Sequence, residues 1–358
     1  MKTVSANLKA HFAQENTTIA TCYRITLTAF QPQIVAITKA NPGVVTTKYA
    51  HGRSTGDQVK MHEVGGMVEL NDTYQTLTVL TPTTFEISTD TSAFTDFTSG
   101  GEARITYGHT NIDHDIDVDG ITYRAAEGSV PSTFRTNTNG VVNDVEMLNS
   151  YVTQLTVAES DIHAGKLDYA EAECFLVNYK SIADGKLILL TGHTGETKLH
   201  RSHYVNAISS LSTKLASDTL EVVTPDCRLD LGDSKCGVDT AALSVTGTVT
   251  AVTSKKDFDD TSRTEGLNYF DGGLLTWTSG DNVGTAIEVK QFEVDNFILF
   301  ESTNYDIQIG DTYSVFPGCD KIKATCISKF DNILNFNGFD FLPGPNTLSK
   351  VGNPYGSE

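Results

Sequence analysis

Short segments in which apolar and polar positions alternate with a period of two recur along the chain. Thr, Val, Ile and aromatic residues fill these segments, and clusters of Gly, Asn, Asp and Pro separate them, which is typical of β-strands joined by turns. Six of them are predicted strands: residues 21–30, 75–81, 173–179, 185–192, 246–253 and 296–302. Strands and helices do not alternate as in a βαβ unit, so a dinucleotide-binding fold is not expected.

Helical periodicity is confined to two short stretches. Leu8, Phe12 and Ala13 are spaced as on one face of a helix and predict a short amphipathic helix over residues 5–13. Residues 159–167 predict a second short helix, with Ser160 as its N-cap. The pattern therefore predicts a mainly β, multidomain protein, built of β-barrels or β-sandwiches with few short helices.

Shifts in composition predict the domain boundaries. Residues 31–105 are rich in Thr and contain their own turn sequences, so we expect a small β-module inserted in the chain. The segments on either side, residues 1–30 and 106–222, would then form one discontinuous N-terminal β-domain. Residues 223–358 would form a C-terminal region that is irregular where it carries cysteines and encloses a small β-domain at 244–316.

Charge narrows the classes of partner. Among 358 residues, 45 are acidic and 26 are basic, which gives a net charge of −19. A field of this sign disfavours binding to phosphate backbones and to anionic membranes. No stretch approaches the ~20 apolar residues that cross a bilayer, and the first eighteen residues lack the apolar core of a signal peptide. We therefore expect a protein that folds in the cytoplasm and has no membrane segment.

The chain has six cysteines, which divide into two groups by context. Cys22 and Cys174 lie in apolar, strand-like segments, where a free cysteine packs as a small apolar side chain, so we expect both in the core. The other four lie in loop-like segments near Asp, Gly and Lys. They are Cys227 and Cys236, with eight residues between them, and Cys319 and Cys326, with six between them.

These four late cysteines are the strongest candidate site. In a reducing compartment, paired cysteines favour metal binding or catalysis over disulfides. Two loop-borne pairs can converge on one four-thiolate metal site, and two disulfides or four unliganded thiols are the alternatives. Structural zinc usually has two to four residues between paired ligands, so the longer gaps favour an iron–sulfur cluster without deciding the metal.

An acidic segment offers a weaker candidate for calcium binding. Asp115, Asp117 and Asp119, followed by Gly120, resemble the opening of a calcium loop. The twelfth position of such a loop should be a bidentate Glu, whereas here it is Ala126. Because apolar residues alternate with these carboxylates, we expect a β-hairpin with a solvated acidic face.

A third cluster combines three histidines with a glutamate. The cluster matches no zinc spacing, and alternating polar positions on strands are usually solvated; its members are His193, His200, His203 and Glu196.

Sequence motifs of nucleophilic hydrolases, P-loop enzymes and zinc proteases are lacking, so we expect no enzymatic activity.

Aromatic residues near the C-terminus interleave with Asn and Gly close to Cys326. They are Phe330, Phe336, Phe339 and Phe341. We expect an irregular cap over the cysteine site, whose rings either serve structure alone or also exclude solvent and oxidant from the metal.

Several segments resemble hub proteins of long-tailed phages and gene transfer agents. In the last third of the chain these are residues 227–239, 272–290 and 317–344. In the N-terminal part they are residues 8–28, 109–126 and 168–179. Residues 31–105 interrupt this pattern and look like a small β-module that recurs in phage structural proteins.

The resemblance implies a place and a cofactor. Such hubs form a threefold ring at the tail tip or baseplate, so a homotrimer located in the virion is implied. The ring adapts the tail tube, including its distal tail protein, to a central spike or fibre protein and lets DNA pass. The resemblance also implies a [4Fe–4S] cluster, whose ligands would be Cys227, Cys236, Cys319 and Cys326.

Three functional hypotheses follow. The first is a structural hub in which the cluster ties the C-terminal loops together and part of the negative charge lines the DNA channel, unless that charge only keeps the surface soluble. The second is a redox or host-sensing role for the cluster. The third is a glycan-binding tail accessory protein with a structural zinc site.

Overall fold

The computed structural model of the chain describes residues 4–29, 31–125, 130–131, 144–150, 159–199, 203–210, 223–339 and 342. The chain divides into two compact units, Met1–Ser217 (unit 1) and Asp218–Glu358 (unit 2). In the described part, strands far outnumber helices and build two sheets, one of them a half-barrel. The prediction of a mainly β protein with few short helices is thereby confirmed, while the finer domain boundaries stay predictions.

Unit 1 contains a sheet of fourteen strands. They are β1 (Ile19–Thr26), β2 (Ile34–Ile37), β3 (Gly43–Thr47), β4 (Gln58–His62), β5 (Tyr74–Thr81), β6 (Thr84–Ile87), β7 (Glu102–Thr110), β8 (Ile116–Val118), β9 (Ile121–Ala125), β10 (Val130–Pro131), β11 (Asp144–Ser150), β12 (Glu171–Asn178), β13 (Lys186–Leu199) and β14 (His203–Ser210). Their order is β10-β11-β14-β13-β12-β1-β7-β4-β5-β6-β3-β2, with β9 beside β7 and β8 beside β9.

Strand β7 belongs to two parts of this sheet. Its first half pairs with β4, where Val59 lies opposite Ile105. Its second half pairs with β1, where Cys22 lies opposite Thr110. A separate cluster of buried apolar side chains, which includes Val45 and Phe85, lies within residues 34–103.

Strand β1 contributes buried side chains to both faces of the sheet. Cys22 packs with Tyr123 and Phe175 on one face, and Tyr23 packs with Cys174 on the other. Both cysteines are fully buried, so the prediction that they are core residues is confirmed. Fully buried side chains of this kind stabilise a fold by removing apolar surface from water.

The two predicted helices of unit 1 are present but differ in accuracy. Helix α1 (Ala6–Phe12) begins as predicted, because the Ser5 hydroxyl accepts a hydrogen bond from the Leu8 amide at 3.1 Å. Helix α2 (Glu159–His163) starts one residue before the cap predicted at Ser160 and ends four residues before Leu167. It ends early because Gly165, with φ of 71°, adopts a left-handed conformation.

Unit 2 contains a seven-stranded sheet. Its strands are β15 (Val245–Thr248), β16 (Ala251–Ser254), β17 (Asp257–Asp259), β18 (Leu274–Trp277), β19 (Ala286–Glu293), β20 (Asn296–Leu299) and β21 (Thr312–Val315), in the order β15-β21-β18-β19-β20-β17-β16. The single strand predicted over residues 246–253 is wrong, since the chain changes partner at Val249: β15 pairs with β21, and β16 pairs with β17.

Aromatic side chains make up much of the hydrophobic core of unit 2. Phe258, Trp277, Phe297 and Tyr313 are fully buried, and Phe258 stacks on Phe297 with ring centroids 5.3 Å apart. The Tyr313 hydroxyl donates to the buried carboxylate of Asp260 at 2.6 Å. A buried carboxylate needs such partners, so this contact holds the core in one arrangement.

The helices of unit 2 lie outside this sheet. Helix α3 (Thr240–Leu243) is capped by Asp239 and precedes the first strand, and α4 (Lys323–Ser328) follows the last one. Among the described residues, no helix has the length and apolar character that crossing a membrane would need.

Candidate metal centre

The two pairs of late cysteines are brought together by the edge of the sheet in unit 2. Strands β15 and β21 pair antiparallel, with Val245 opposite Val315. The chain therefore enters and leaves this sheet at neighbouring points. Because Cys227 and Cys236 precede β15 while Cys319 and Cys326 follow β21, the pairing places both cysteine-bearing segments on the same side.

All four thiols line one small cavity of about 20 Å³. Each of these cysteines is free and half-buried. Apolar side chains complete much of the wall; they are Leu229, Leu231, Val238 and Phe330. The structure thus groups the four residues that the sequence singled out, in partly apolar surroundings.

Hydrogen bonds connect the two segments around the cavity. The Cys227 amide donates to the Lys321 carbonyl at 2.8 Å. The Asn332 side-chain amide donates to the Cys236 carbonyl at 2.6 Å, and its nitrogen lies 3.6 Å from the Cys236 sulfur. The Cys326 thiol donates to the Asn332 carbonyl at 3.3 Å. These contacts fix the directions from which the sulfurs approach the cavity.

The pKa values of two of the thiols, Cys319 and Cys326, are raised. Burial raises the pKa of Cys319, although Lys321 offsets part of this effect. Burial also raises the pKa of Cys326, and the three neighbouring thiols raise it further. A cation at the centre would offset both effects, since metal binding replaces thiol protons.

The cavity between the thiols is small. Its volume of about 20 Å³ is enough for about one water molecule. Among the described residues, no set of three or more His, Cys, Asp or Glu side chains has the geometry for a single metal ion. Four thiolates are soft donors, and such a set occurs both in zinc sites and around iron–sulfur clusters.

The acidic segment forms the predicted β-hairpin, β8 and β9, and its carboxylates do not converge. Asp115 accepts a hydrogen bond from the Ala125 amide at 2.7 Å, and Asp117 accepts one from the Thr122 hydroxyl at 2.7 Å. Asp119 adopts a left-handed conformation at the turn and pairs with a lysine of β13. Each carboxylate thus has a local structural role, as the hairpin interpretation predicts.

The two histidines of the cluster within the described part of the chain, His193 and His203, lie at different ends of one strand ladder. His193 lies opposite Ser209 in the β13–β14 ladder, and His203 begins β14 at the other end of that ladder. His200 lies outside the described residues. Glu196 pairs with Lys198 at 3.4 Å on the surface.

The aromatic cap is only partly seen. Phe330 lines the cavity. Phe339 is half exposed, with the Arg228 guanidinium 5.3 Å from its ring centroid. Phe341 lies outside the described residues. Sequence reasoning missed Asn332, because the asparagines of this segment were interpreted only as residues between aromatic rings.

Unit 1 has a second concave feature, a wide groove of about 530 Å³ that we call the unit 1 groove. Tyr74 lies in it with the Arg24 guanidinium 4.8 Å from its ring centroid. Carboxylates of Glu69, Asp72 and Asp119 also line it. This lining is polar and carries both signs of charge, so the groove is unsuited to an apolar ligand.

Different stretches of the chain match different families of known proteins. Residues 100–239 match the family described as baseplate hub protein, N-terminal attachment domain, and residues 268–346 match the family described as phage conserved hypothetical protein BR0599. A solved chain from the virion of a native gene transfer agent particle superposes with a TM-score of 0.67 and 20% identity, over 99% of this chain and 98% of that one. This chain shares its fold. Together the matches support a structural, baseplate-type protein of a virion rather than an enzyme.

Part of the β-module predicted over residues 31–105 resembles a domain of enzymes that have no other similarity to this chain. Residues 40–105 match the ubiquitin-activating enzyme E1 FCCH domain. Ubiquitin-like modifier-activating enzyme 1 of Homo sapiens is 50% identical over 68 residues, and ubiquitin-like modifier-activating enzyme 6 of Homo sapiens is 39% identical over 69. These matches span 18% and 19% of this chain but only 6% of each enzyme. The likeness is therefore limited to this module.

Proposed function

We propose that this protein is the tail-tip hub of a long-tailed phage or gene transfer agent. Three copies form a ring that joins the tail tube to a central spike or fibre protein and lets DNA pass. The observation that carries the proposal is the match of residues 100–239 to a baseplate hub attachment domain. A fold shared over 99% of the chain with a protein of a gene transfer agent virion supports it.

The second part of the proposal is a [4Fe–4S] cluster held by Cys227, Cys236, Cys319 and Cys326. The four thiols line one cavity, and four cysteine thiolates are the usual ligand set of such a cluster. Holding the metal would tie the segment before β15 to the segment after β21. Since both segments have little regular structure, the free energy of metal binding would add to the stability of this part of unit 2.

Composition analysis tests the cofactor. We expect iron and acid-labile sulfide at about four each per chain in protein purified without oxygen. One zinc ion without sulfide would replace the cluster by a zinc site, and protein that holds no metal would overturn the metal centre.

Substitution of one ligand tests the role of the centre in assembly. We expect Cys227→Ser to lose the metal and to block formation of infectious tails. Cys22→Ala is the matched control, because it removes a thiol from the core of unit 1 and leaves the four late cysteines intact. Normal tails made by the Cys227→Ser variant would contradict a stapling role.

The ring has its own test. Sedimentation of the purified hub or imaging of isolated tail tips should show three copies, and a different stoichiometry would overturn the trimer.

We further propose that part of the net charge of −19 faces the channel, where it would repel the DNA backbone. A basic channel surface in the assembled tip would overturn this second statement.

Glycan binding is a second candidate, which the unit 1 groove favours. The groove offers carboxylates and cationic side chains that could hydrogen-bond sugar hydroxyls, beside the Tyr74 ring. Particles with Glu69→Gln and Asp72→Asn should adsorb poorly to host cells, and periodate treatment of the cells should have the same effect on normal particles. Asp96→Asn is the control, because this carboxylate is exposed and does not line the groove. Unchanged adsorption would overturn this candidate.

A further inference from the structure

Asn332 lies where the two cysteine-bearing segments meet. Its side-chain nitrogen donates to the Cys236 carbonyl at 2.6 Å and lies 3.6 Å from the Cys236 sulfur. Its side-chain oxygen accepts a hydrogen bond from Asn335 at 2.7 Å. Because that oxygen is already engaged, the amide nitrogen is the atom that faces Cys236.

The backbone of the same residue contacts the other cysteine pair. The Asn332 amide donates to the Cys326 carbonyl at 3.0 Å. The Asn332 carbonyl accepts from the Cys326 sulfur at 3.3 Å. One residue thus contacts a cysteine from each pair, through its side chain on one side and its backbone on the other.

We propose that Asn332 is a positioning residue of the cysteine centre. It sets the position of Cys236 relative to Cys326, and its amide N–H donates a hydrogen bond to the Cys236 sulfur. This inference rests on the proposed metal centre. A hydrogen bond to a ligand sulfur stabilises its negative charge, so it slows release of the metal, and in an iron–sulfur cluster it raises the reduction potential.

Other contacts keep the segments folded when this side chain is removed. The Lys321 ammonium donates to the Leu229 carbonyl at 2.5 Å and to Asp230 at 3.0 Å. The Arg228 guanidinium donates to the Asn337 side chain at 2.9 Å. Substitution at Asn332 leaves these cross-links unchanged, so the variant protein should fold and load metal.

Two substitutions separate the hydrogen bond from side-chain volume. Asn332→Ala removes the amide, whereas Asn332→Asp keeps the size and the accepting oxygen but replaces the donor with a negative charge that repels the thiolates. Asn304→Ala is the control, because it removes a half-buried asparagine side chain of the same unit outside the cysteine-bearing segments.

The experiment measures the rate of metal release into excess chelator from the protein as purified without oxygen. We expect release to be about 10- to 100-fold faster from Asn332→Ala than from the wild type, as for loss of other residues that hold metal ligands. Release from Asn332→Asp should be faster still, and from Asn304→Ala unchanged. In protein that contains iron and sulfide, the reduction potential of both Asn332 variants should also be lower.

The outcomes test the role of Asn332 separately from the existence of the metal centre. Equal release rates and equal potentials in the wild type and Asn332→Ala would overturn the role of Asn332 and leave the metal centre standing. A wild-type protein without metal that also takes up none would overturn the metal centre and this inference with it. A change in thermal stability alone, with unchanged release and potential, would make Asn332 a structural residue only.

Discussion

His109 makes the stability of unit 1 sensitive to mild acid. This residue of β7 is 4% exposed. Burial and, secondly, the nearby Arg124 guanidinium lower its pKa from about 6.5 to about 4. In the unfolded chain the imidazole binds a proton below pH ~6.5, but in the folded protein only below about 4. Stability therefore falls as the pH decreases through this window.

The size of the effect follows from the difference between the two pKa values. At ~1.36 kcal/mol for each pKa unit, the full loss of unfolding free energy below pH 4 is about 3 kcal/mol. At pH 5 the loss relative to pH 8 is about 2 kcal/mol, because the unfolded histidine is then almost fully charged and the folded one is almost fully neutral.

Denaturant unfolding at pH 8 and pH 5, followed by circular dichroism, measures this effect. His109→Gln carries no titratable group, so its unfolding free energy should fall by about 2 kcal/mol less than that of the wild type over this range. The control is Val35→Ala, because it alters an exposed side chain of the same unit that carries no titratable group, so its pH dependence should equal that of the wild type. Trp277 fluorescence follows unit 2 in the same samples.

Two results would refute the reasoning about His109. One is the same pH dependence for His109→Gln and the wild type. The other is an NMR titration of the His109 ring in the folded protein with a midpoint near 6.5, which needs no variant and so does not depend on how well His109→Gln folds.

Two further predictions concern unit 2. Burial alone would raise the pKa of Asp260, but its hydrogen bonds outweigh burial and lower that pKa. Asp260→Asn should therefore lower the unfolding free energy by about 1–3 kcal/mol, measured by Trp277 fluorescence. An equal loss in the exposed Asp306→Asn variant would contradict this prediction. A Cβ at Gly318 would lie 1.7 Å from the Asp271 carbonyl oxygen, so Gly318→Ala should displace the neighbouring Cys319 and reduce metal content. Gly266→Ala is the control, because a Cβ there has no atom within 4 Å, and full metal content in both variants would refute the prediction.

Local sequence predicts the local parts of this fold. The β8–β9 hairpin could be predicted because alternation and an Asp-Gly turn both act within a few residues. Alternation also continues through Val249, so it could not show that the chain exchanges one partner strand for another at that point. The end of α2 depends on the left-handed Gly165, which helical periodicity alone does not show.

The candidate site shows the same limit. Thiol chemistry identified the four late cysteines, because few other residue types hold soft metals. Their convergence depends on the pairing of Val245 with Val315, which are far apart in sequence and carry no local signal of it. Asn332 was missed for the same reason, since its contact with Cys236 exists only after both segments have been brought to the sheet edge.

The two ladders of strand β7 restrict which segments recombination can exchange at this point of the chain. Residues 102–105 complete the ladder with β4, and residues 106–110 continue without interruption into the ladder with β1. A replacement for the preceding segment must therefore deliver a final strand in this register, because a shift of one residue would turn its buried side chains outward. Recombination at this point is restricted to β-structures that end in a compatible strand, whatever surface they display.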